Sequence, residues 1–224
     1  MRIRFDEQLK QLNKEMINMG TMIEESIGDA VKALMQQDVE LAQKVMAGDE
    51  EIDRTERKIE DLCLRLLLQQ QPVARDLRNI SAALKMVTDM ERIGDQATDI
   101  AEILNTGSVH IPVTAIPLQE MADYAMHMVN DSVTAYVEEK SDLAKKVISS
   151  DDILDNLFDK VRNALDQNTM DFSSDEVLDL LMISKYYERI GDHATNIGEW
   201  AEFSVDGIHR NGDSISDLFN PDSL

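Results

Sequence analysis

The sequence is poor in the residues that build sheets, turns and disulfides. Aromatic residues make up 4% of its 224 residues, and there are only nine glycines and four prolines. The core must therefore be built from aliphatic residues and methionine, which favours long helices over sheets. The single cysteine, Cys63, excludes a disulfide framework and a cysteine-rich zinc site within the chain. This low cysteine content is typical of proteins of the reducing cytoplasm.

Long apolar runs and basic residues are scarce as well. No stretch of about 18 consecutive apolar residues occurs, so we expect no membrane insertion. Arg2, Arg4 and Asp6 stand at the start with no apolar run behind them, so we expect no signal peptide. The 22 Lys and Arg residues against 44 Asp and Glu residues give a net charge of −22. Because this charge repels phosphate backbones and anionic lipid, it argues against nucleic acid or a membrane surface as partner.

Apolar residues recur at three- and four-residue spacing along the chain, which predicts helices. The first helix is predicted over about residues 6–46, with Gly48 as its break and a second helix from Asp49. A third helix follows Pro72 and ends near Leu104. The segment after it is rich in Gly, Ser, Thr and Pro and is predicted to be a linker.

The same series of helices then repeats. A helix over about 115–148, a break at Ser149–Ser150, a helix from Asp151 and a third helix to near Ser204 follow the linker. Residues 91–102 match residues 188–199 at nine of twelve positions, and residues 28–53 match residues 130–155 at nine of 26. The offset is 97 in the first match and 102 in the second. A loop between the second and third helices can change length at little cost, which explains the difference.

This repeat predicts an all-α protein of two tandem three-helix bundles. The boundaries expected are residues 1–106 for the first bundle, 107–117 for the linker and 118–204 for the second bundle. Residues 205–224 contain glycine, proline and several serines and aspartates, and we expect them to form a mobile tail.

Acidic residues recur four positions apart at matching places in both units. The ladders comprise Glu91, Asp95 and Asp99 with Asp49 and Asp53 in the first unit, and Glu188 and Asp192 with Asp151 and Asp155 in the second. Residues at this spacing share one helix face, where like charges destabilise the helix unless a cation binds. If the second and third helices of a unit pack as neighbours, its two ladders can converge. An all-oxygen, anionic site suits hard cations, and iron, manganese, magnesium or zinc fits better than copper.

Each ladder also has a purely structural interpretation. An aspartate that follows a break, as Asp49 and Asp151 are predicted to do, commonly caps a helix, and an acidic ladder is commonly a solvated face. The repeat favours a function, because both units keep Glu-Arg-Ile-Gly-Asp with a glycine inside a helix. Such a glycine costs about 1 kcal/mol relative to alanine. Gly94 and Gly191 therefore suggest the close approach of a neighbouring helix.

Several other residues have weaker functional interpretations. Arg92 and Arg189 could orient a carboxylate, although an ordinary structural role is favoured for both. His193 lies within the second ladder but corresponds to Gln96 in the first, so a surface position is expected for it. The sequence has no Glu-x-x-His, P-loop, Gly-x-Ser-x-Gly or zinc-protease motif, and no residue is predicted to be catalytic.

Two copies of Glu-Arg-Ile-Gly-Asp-x-Ala-Thr, each in the last helix of a three-helix unit, resemble the PhoU family over about residues 5–204. This family comprises accessory regulators of the bacterial phosphate-specific transport system. The resemblance implies multinuclear iron or zinc clusters on the acidic ladders. Carried over by position, the metal ligands would be Asp49, Asp53, Glu91, Asp95, Asp99, Asp151, Asp155, Glu188 and Asp192. Asn196 departs from Asp99, so a smaller or looser second cluster is expected.

The resemblance also implies a role and partners. It implies a cytoplasmic homodimer without enzymatic activity that negatively regulates the phosphate-starvation response. The implied partners are the ATPase subunit of the phosphate ABC transporter and the sensor histidine kinase of the phosphate two-component system. A carboxylate-bridged metal-dependent hydrolase or a metal-storage protein is the alternative. A hydrolase would need a cationic clamp for phosphate beside the metals, and only Arg92 and Arg189 are close in sequence.

Overall fold

The computed structural model describes residues 2–69, 72–106, 116–167 and 172–207, and every regular element in these ranges is an α-helix. The helices are α1 (Arg2–Gln36), α2 (Val39–Gln69), α3 (Ala74–Thr106), α4 (Leu118–Val137), α5 (Ser141–Ser149), α6 (Asp151–Gln167) and α7 (Ser174–Asp206). The first three form one bundle. The other four form a second bundle in which α5 and α6 together correspond to α2. The predicted all-α architecture of two tandem three-helix bundles is confirmed.

The first helix of each bundle ends earlier than the sequence predicts. In the first bundle the turn lies at Gln37, whose φ is 55°, and not at Gly48. Asp38 then caps α2, because its carboxylate accepts a hydrogen bond of 3.0 Å from the N–H of Leu41. The equivalent turn in the second bundle contains Glu139, with φ 53°. The predicted ends near 46 and 148 were wrong because apolar periodicity continues across both turns, and neither turn uses a glycine or proline.

Because the predicted break at Gly48 is wrong, the capping interpretation of Asp49 is wrong as well. Asp49 lies inside α2, a full ten residues from its first residue, Val39, whereas Asp151 does begin α6. The interruption before Asp151 is a single residue, Ser150. Its hydroxyl donates to the carbonyl of Lys146 at 2.8 Å, and its N–H donates to the carbonyl of Val147 at 2.9 Å. These bonds tighten the last turn of α5 and separate it from α6.

The last helix begins and ends with specific capping contacts. Ser173 accepts a hydrogen bond from the N–H of Glu176, whose carboxylate accepts from the N–H of Ser173 at 2.9 Å. The predicted break at Ser173–Ser174 is therefore confirmed. Gly207, with φ 76°, ends α7 in the left-handed conformation. The predicted tail thus contributes its first residues to a helix, and its remainder, like most of the predicted linker, lies outside the described residues.

Helices α3 and α7 lie at the centre of the molecule. α3 packs on α1 and α2, α7 packs on α4, α5 and α6, and the two bundles meet through α3 against α7 and α1 against α4. One continuous core of buried aliphatic side chains and methionines runs through both bundles. Cys63 is buried in it, and burial raises the pKa of its thiol to about 12, as expected for a core residue and not a nucleophile. None of the described helices combines the length and apolarity needed to cross a bilayer.

Candidate functional site

The glycines of the repeated motif bring the acidic helices together. A Cβ atom on Gly94 would lie 3.0 Å from Cδ1 of Ile52 on α2, and one on Gly191 would lie 2.6 Å from Cδ1 of Leu154 on α6. A Cβ atom at either position would therefore require the neighbouring side chain to move. The inferred close approach of a neighbouring helix is therefore confirmed in both bundles.

A threonine hydrogen bond sets the register of each pair. The hydroxyl of Thr98 donates to Oδ1 of Asp49 at 3.3 Å, and the hydroxyl of Thr195 donates to Oδ1 of Asp151 at the same distance. The two contacts occupy equivalent positions in the repeat. The second and third helices of both units are thus neighbours, as the convergence of the ladders requires.

The first cluster lies along the seam between α2 and α3. It consists of Asp49, Asp53, Glu56, Glu91 and Asp95. Burial is the largest influence on Glu91, and the charges of the other four carboxylates add to it, so that its pKa rises to about 7. Burial and neighbouring carboxylates also raise the pKa values of Asp95, Asp49 and Glu56. The cluster therefore concentrates negative charge that a cation would neutralise.

The second cluster lies along the seam between α6 and α7. It consists of Asp151, Asp155, Glu188 and Asp192. Burial, followed by the charges of Glu188 and Asp151, raises the pKa of Asp192 to about 6. Lys185 acts in the opposite direction, and its Nζ lies 2.5 Å from the carboxylate of Glu188.

Within the ranges that the structure describes, no three acidic, histidine or cysteine side chains are arranged to hold a metal ion. The arrangement brings eight of the nine predicted ligands into two clusters. Their role as metal ligands stays a prediction.

The ninth predicted ligand, Asp99, lies near the contact of α3 with α7. Burial raises its pKa, while a hydrogen bond with Tyr186 and the charge of Arg189, both on α7, lower it. The charge of Asp99 still raises the pKa of Asp95 in the first cluster. It therefore lies between the first cluster and the contact of α3 with α7.

The departure at Asn196 has a structural reason in the same contact. Its amide donates to Oδ1 of Asp89 at 3.3 Å, and Nδ1 of His193 lies 2.8 Å from the same oxygen. An aspartate at 196 would place a second carboxylate against the largely buried Asp89. His193 is partly buried in this contact, so the surface position expected for it was wrong.

The sequence matches a known family across both bundles. A family model described as PhoU domain matches residues 16–104 and 118–201. The chain belongs to the PhoU family. The phosphate-specific transport system accessory protein PhoU homolog of Clostridium acetobutylicum is 38% identical over 209 residues, covering 91% of this chain and 94% of that protein. A protein of the same description from Pseudomonas putida is 35% identical, covering 91% of this chain and 81% of its own length.

Solved structures share the fold. The crystal structure of PhoU from Pseudomonas aeruginosa superposes with a TM-score of 0.83 at 32% identity, covering 91% of this chain and 99% of that chain. The phosphate transport system regulatory protein PhoU from Streptococcus pneumoniae gives a TM-score of 0.82 at 24% identity, with 91% and 97% covered. The second likeness supports the fold alone.

Two residues of the PhoU-domain clusters are not predicted by the four-residue spacing of the ladders. Glu56 joins the first cluster, and Lys185 lies in the second. Glu56 stands three residues after Asp53, and Lys185 three residues before Glu188, so both share a helix face with a ladder. A search for residues three as well as four positions apart would have found them.

Proposed function

We propose that this chain is a cytoplasmic, non-enzymatic regulator of phosphate-specific transport that represses the phosphate-starvation response when phosphate is plentiful. Its relatives are phosphate-specific transport system accessory proteins by description, which supports the first part. The proposed partners are the ATPase subunit of the phosphate ABC transporter and its associated sensor histidine kinase, contacted by a homodimer. The observation that carries the proposal is the pair of matched carboxylate clusters, one in each PhoU domain.

We propose further that both clusters bind metal. The donor set fits, because aspartate and glutamate oxygens are the ligands that hard cations prefer. The charged groups that shift the pKa of Glu91 are all carboxylates, so a cation would relieve repulsion there. Asp49, Asp53, Glu91 and Asp95 would hold metal in the first domain, and the second cluster would hold it in the other. The bound metal would supply positive charge that ties α2 to α3 and α6 to α7, fixing the outer surface of each bundle.

A metal-dependent hydrolase is less well supported. Such an enzyme needs cationic or hydrogen-bonding groups that clamp a phosphate beside the metal. The two clusters lie along seams between long helices, and the net charge of −22 opposes the approach of an anionic substrate. Arg92 lowers the pKa of Asp95, but the exposed side chain of Arg92 suits a solvated ion pair better than a phosphate clamp.

The experiment that tests the proposal measures a phosphatase reporter of the starvation response in phosphate-rich medium. The host lacks its own PhoU-family protein and carries this chain or a variant with Glu91→Gln, Asp95→Asn, Glu188→Gln and Asp192→Asn. These changes keep side-chain size and remove the charge on which metal binding would depend. We expect repression by the natural chain and a reporter that stays on with the variant.

A matched control removes the same number of charges outside the clusters. Glu7, Glu25, Glu40 and Glu120 are exposed, and their replacement by glutamine should leave repression intact. Normal repression by the cluster variant, at equal protein level, would remove the carboxylates from the mechanism. Failure of the natural chain to repress would contradict the regulatory function itself.

A further inference from the structure

The two clusters differ at two matched positions. The threonine hydrogen bonds that both repeats share fix the alignment at an offset of 102 for the second helix and 97 for the third. By these offsets Phe158 stands where the first unit has Glu56, and Lys185 stands where it has Thr88. The first cluster thus gains a carboxylate at a place where the second has an aromatic ring. The second cluster gains a cation where the first has a neutral hydroxyl.

Lys185 is held at the second cluster by several groups at once. Its Nζ lies 2.5 Å from the carboxylate of Glu188 and 5.4 Å from the centroid of the Phe158 ring. Its charge also acts on Asp155 and Asp192, lowering the pKa of each against the effect of burial. An ammonium group placed among three carboxylates and against an aromatic face is stabilised by both kinds of neighbour.

We infer that the ammonium group of Lys185 is a resident counter-ion of the second cluster, so that metal enters the first cluster in preference and enters the second only by displacing Lys185. The inference rests on the proposed function, because it presupposes that the clusters bind metal. Two cations within a few ångströms repel each other, and a metal ion must therefore overcome the charge of Lys185 or move it away. The first cluster has no lysine at the matched position. Its ion pair, Arg57 with Asp53 at 2.7 Å, lies further out, because the side chain of Arg57 is 65% exposed against 37% for Lys185, and Glu56 adds a carboxylate to this cluster.

The test isolates the second cluster and titrates it with Mn²⁺ alone. In the full chain, Glu91→Gln and Asp95→Asn disable the first cluster, and Lys185→Thr then installs the residue of the first repeat. Calorimetric titration of chelator-treated protein should show affinity for Mn²⁺ at least about tenfold higher with Lys185→Thr than with Lys185 retained. Lys185→Gln, which keeps a polar side chain longer than threonine but without the charge, should change the affinity in the same direction. Lys145→Thr, which removes an exposed lysine paired with Glu202, should leave the affinity unchanged.

The reciprocal change is made in the first cluster. Thr88→Lys, in a chain whose second cluster is disabled by Glu188→Gln and Asp192→Asn, should weaken Mn²⁺ binding by about tenfold. Unchanged affinity in both exchanges, with Mn²⁺ bound by the natural first cluster, would overturn the role of Lys185 and leave the proposed metal binding standing. If the natural chain binds no more Mn²⁺ than the variant with all four carboxylates replaced, the proposed metal binding fails, and the role of Lys185 fails with it.

Discussion

Among the carboxylates of the first cluster, Glu91 is the one whose ionised form is least favoured. It is surrounded by carboxylates on its own helix and on α2, and only burial and like charges act on its pKa. A lone acidic ladder on a solvated face would show neither influence to this degree. This shift is a property of the pairing of two helices, since Asp49, Asp53 and Glu56 all lie on α2.

The raised pKa of Glu91 predicts a pH-dependent stability in metal-free buffer. Its carboxyl group has a pKa of about 7 in the folded chain and an ordinary value of 4.5 when unfolded, so between these values the folded state binds more protons. The free energy of unfolding should therefore fall as pH rises through this window. Glu91→Gln should raise the melting temperature at pH 8 and change it little at pH 4. Glu25→Gln, at an exposed site on α1, measures the effect of net charge alone. An equal gain from both variants at pH 8 would contradict the prediction.

At the scale of the helices, replacing a glycine has opposite expected effects where its Cβ would meet open space and where it would meet a neighbouring side chain. Gly48 lies inside α2 with no atom within 4 Å of the Cβ it lacks, whereas a Cβ on Gly94 would lie 3.0 and 3.1 Å from Cδ1 and Cγ2 of Ile52. Gly48→Ala should raise the free energy of unfolding by about 0.5–1 kcal/mol, because alanine favours the helix. Gly94→Ala should lower it by about 1 kcal/mol, because the cost of overpacking against a stiff β-branched side chain exceeds that gain. Urea denaturation of the metal-free chain measures both changes. Stabilisation by Gly94→Ala would contradict the prediction, because it would show that α2 and α3 leave space for a Cβ atom at this position.

These glycines also show what the sequence could and could not predict. The internal repeat exposed the matched glycines, and with them the two helix pairs and eight clustered carboxylates. The helix boundaries were harder, since Gln37 and Glu139 adopt left-handed turns that their residue types do not signal. Glycine disfavours helix, so the sequence predicts a break at Gly48, yet packing of α2 on both sides of it overrides a penalty of about 1 kcal/mol. The roles of Tyr186 and Asn196 depend on which helices meet between the repeats, and no spacing within one helix contains that information.

At the scale of the whole molecule, the two repeats are joined by related but unequal polar contacts. Asp89 of α3 accepts from Asn196 and lies beside His193 on α7, while Asp99 of α3 meets Tyr186 of α7. By the offset of 97, position 89 corresponds to 186 and position 99 to 196. The same two sites thus face each other twice across an antiparallel helix pair, each time with one carboxylate and one partner that can donate to it. Divergence of the repeats has kept an acceptor and a donor at both contacts.

The contact between the repeats predicts a coupling that a double-mutant cycle can measure. Asn196→Asp should lower the free energy of unfolding by about 1–3 kcal/mol at pH 8, because it replaces a donor with a second carboxylate beside Asp89, which is 8% exposed. Asp89→Asn alone should also destabilise, since it replaces the charged carboxylate that faces Asn196 and His193 with a neutral amide. Combining the two changes restores one amide facing one carboxylate with their places exchanged, so the double variant should be more stable than the sum of the single effects implies. Strict additivity, measured by urea denaturation in the presence of chelator, would mean that Asp89 and Asn196 are not energetically coupled across the contact of α3 with α7.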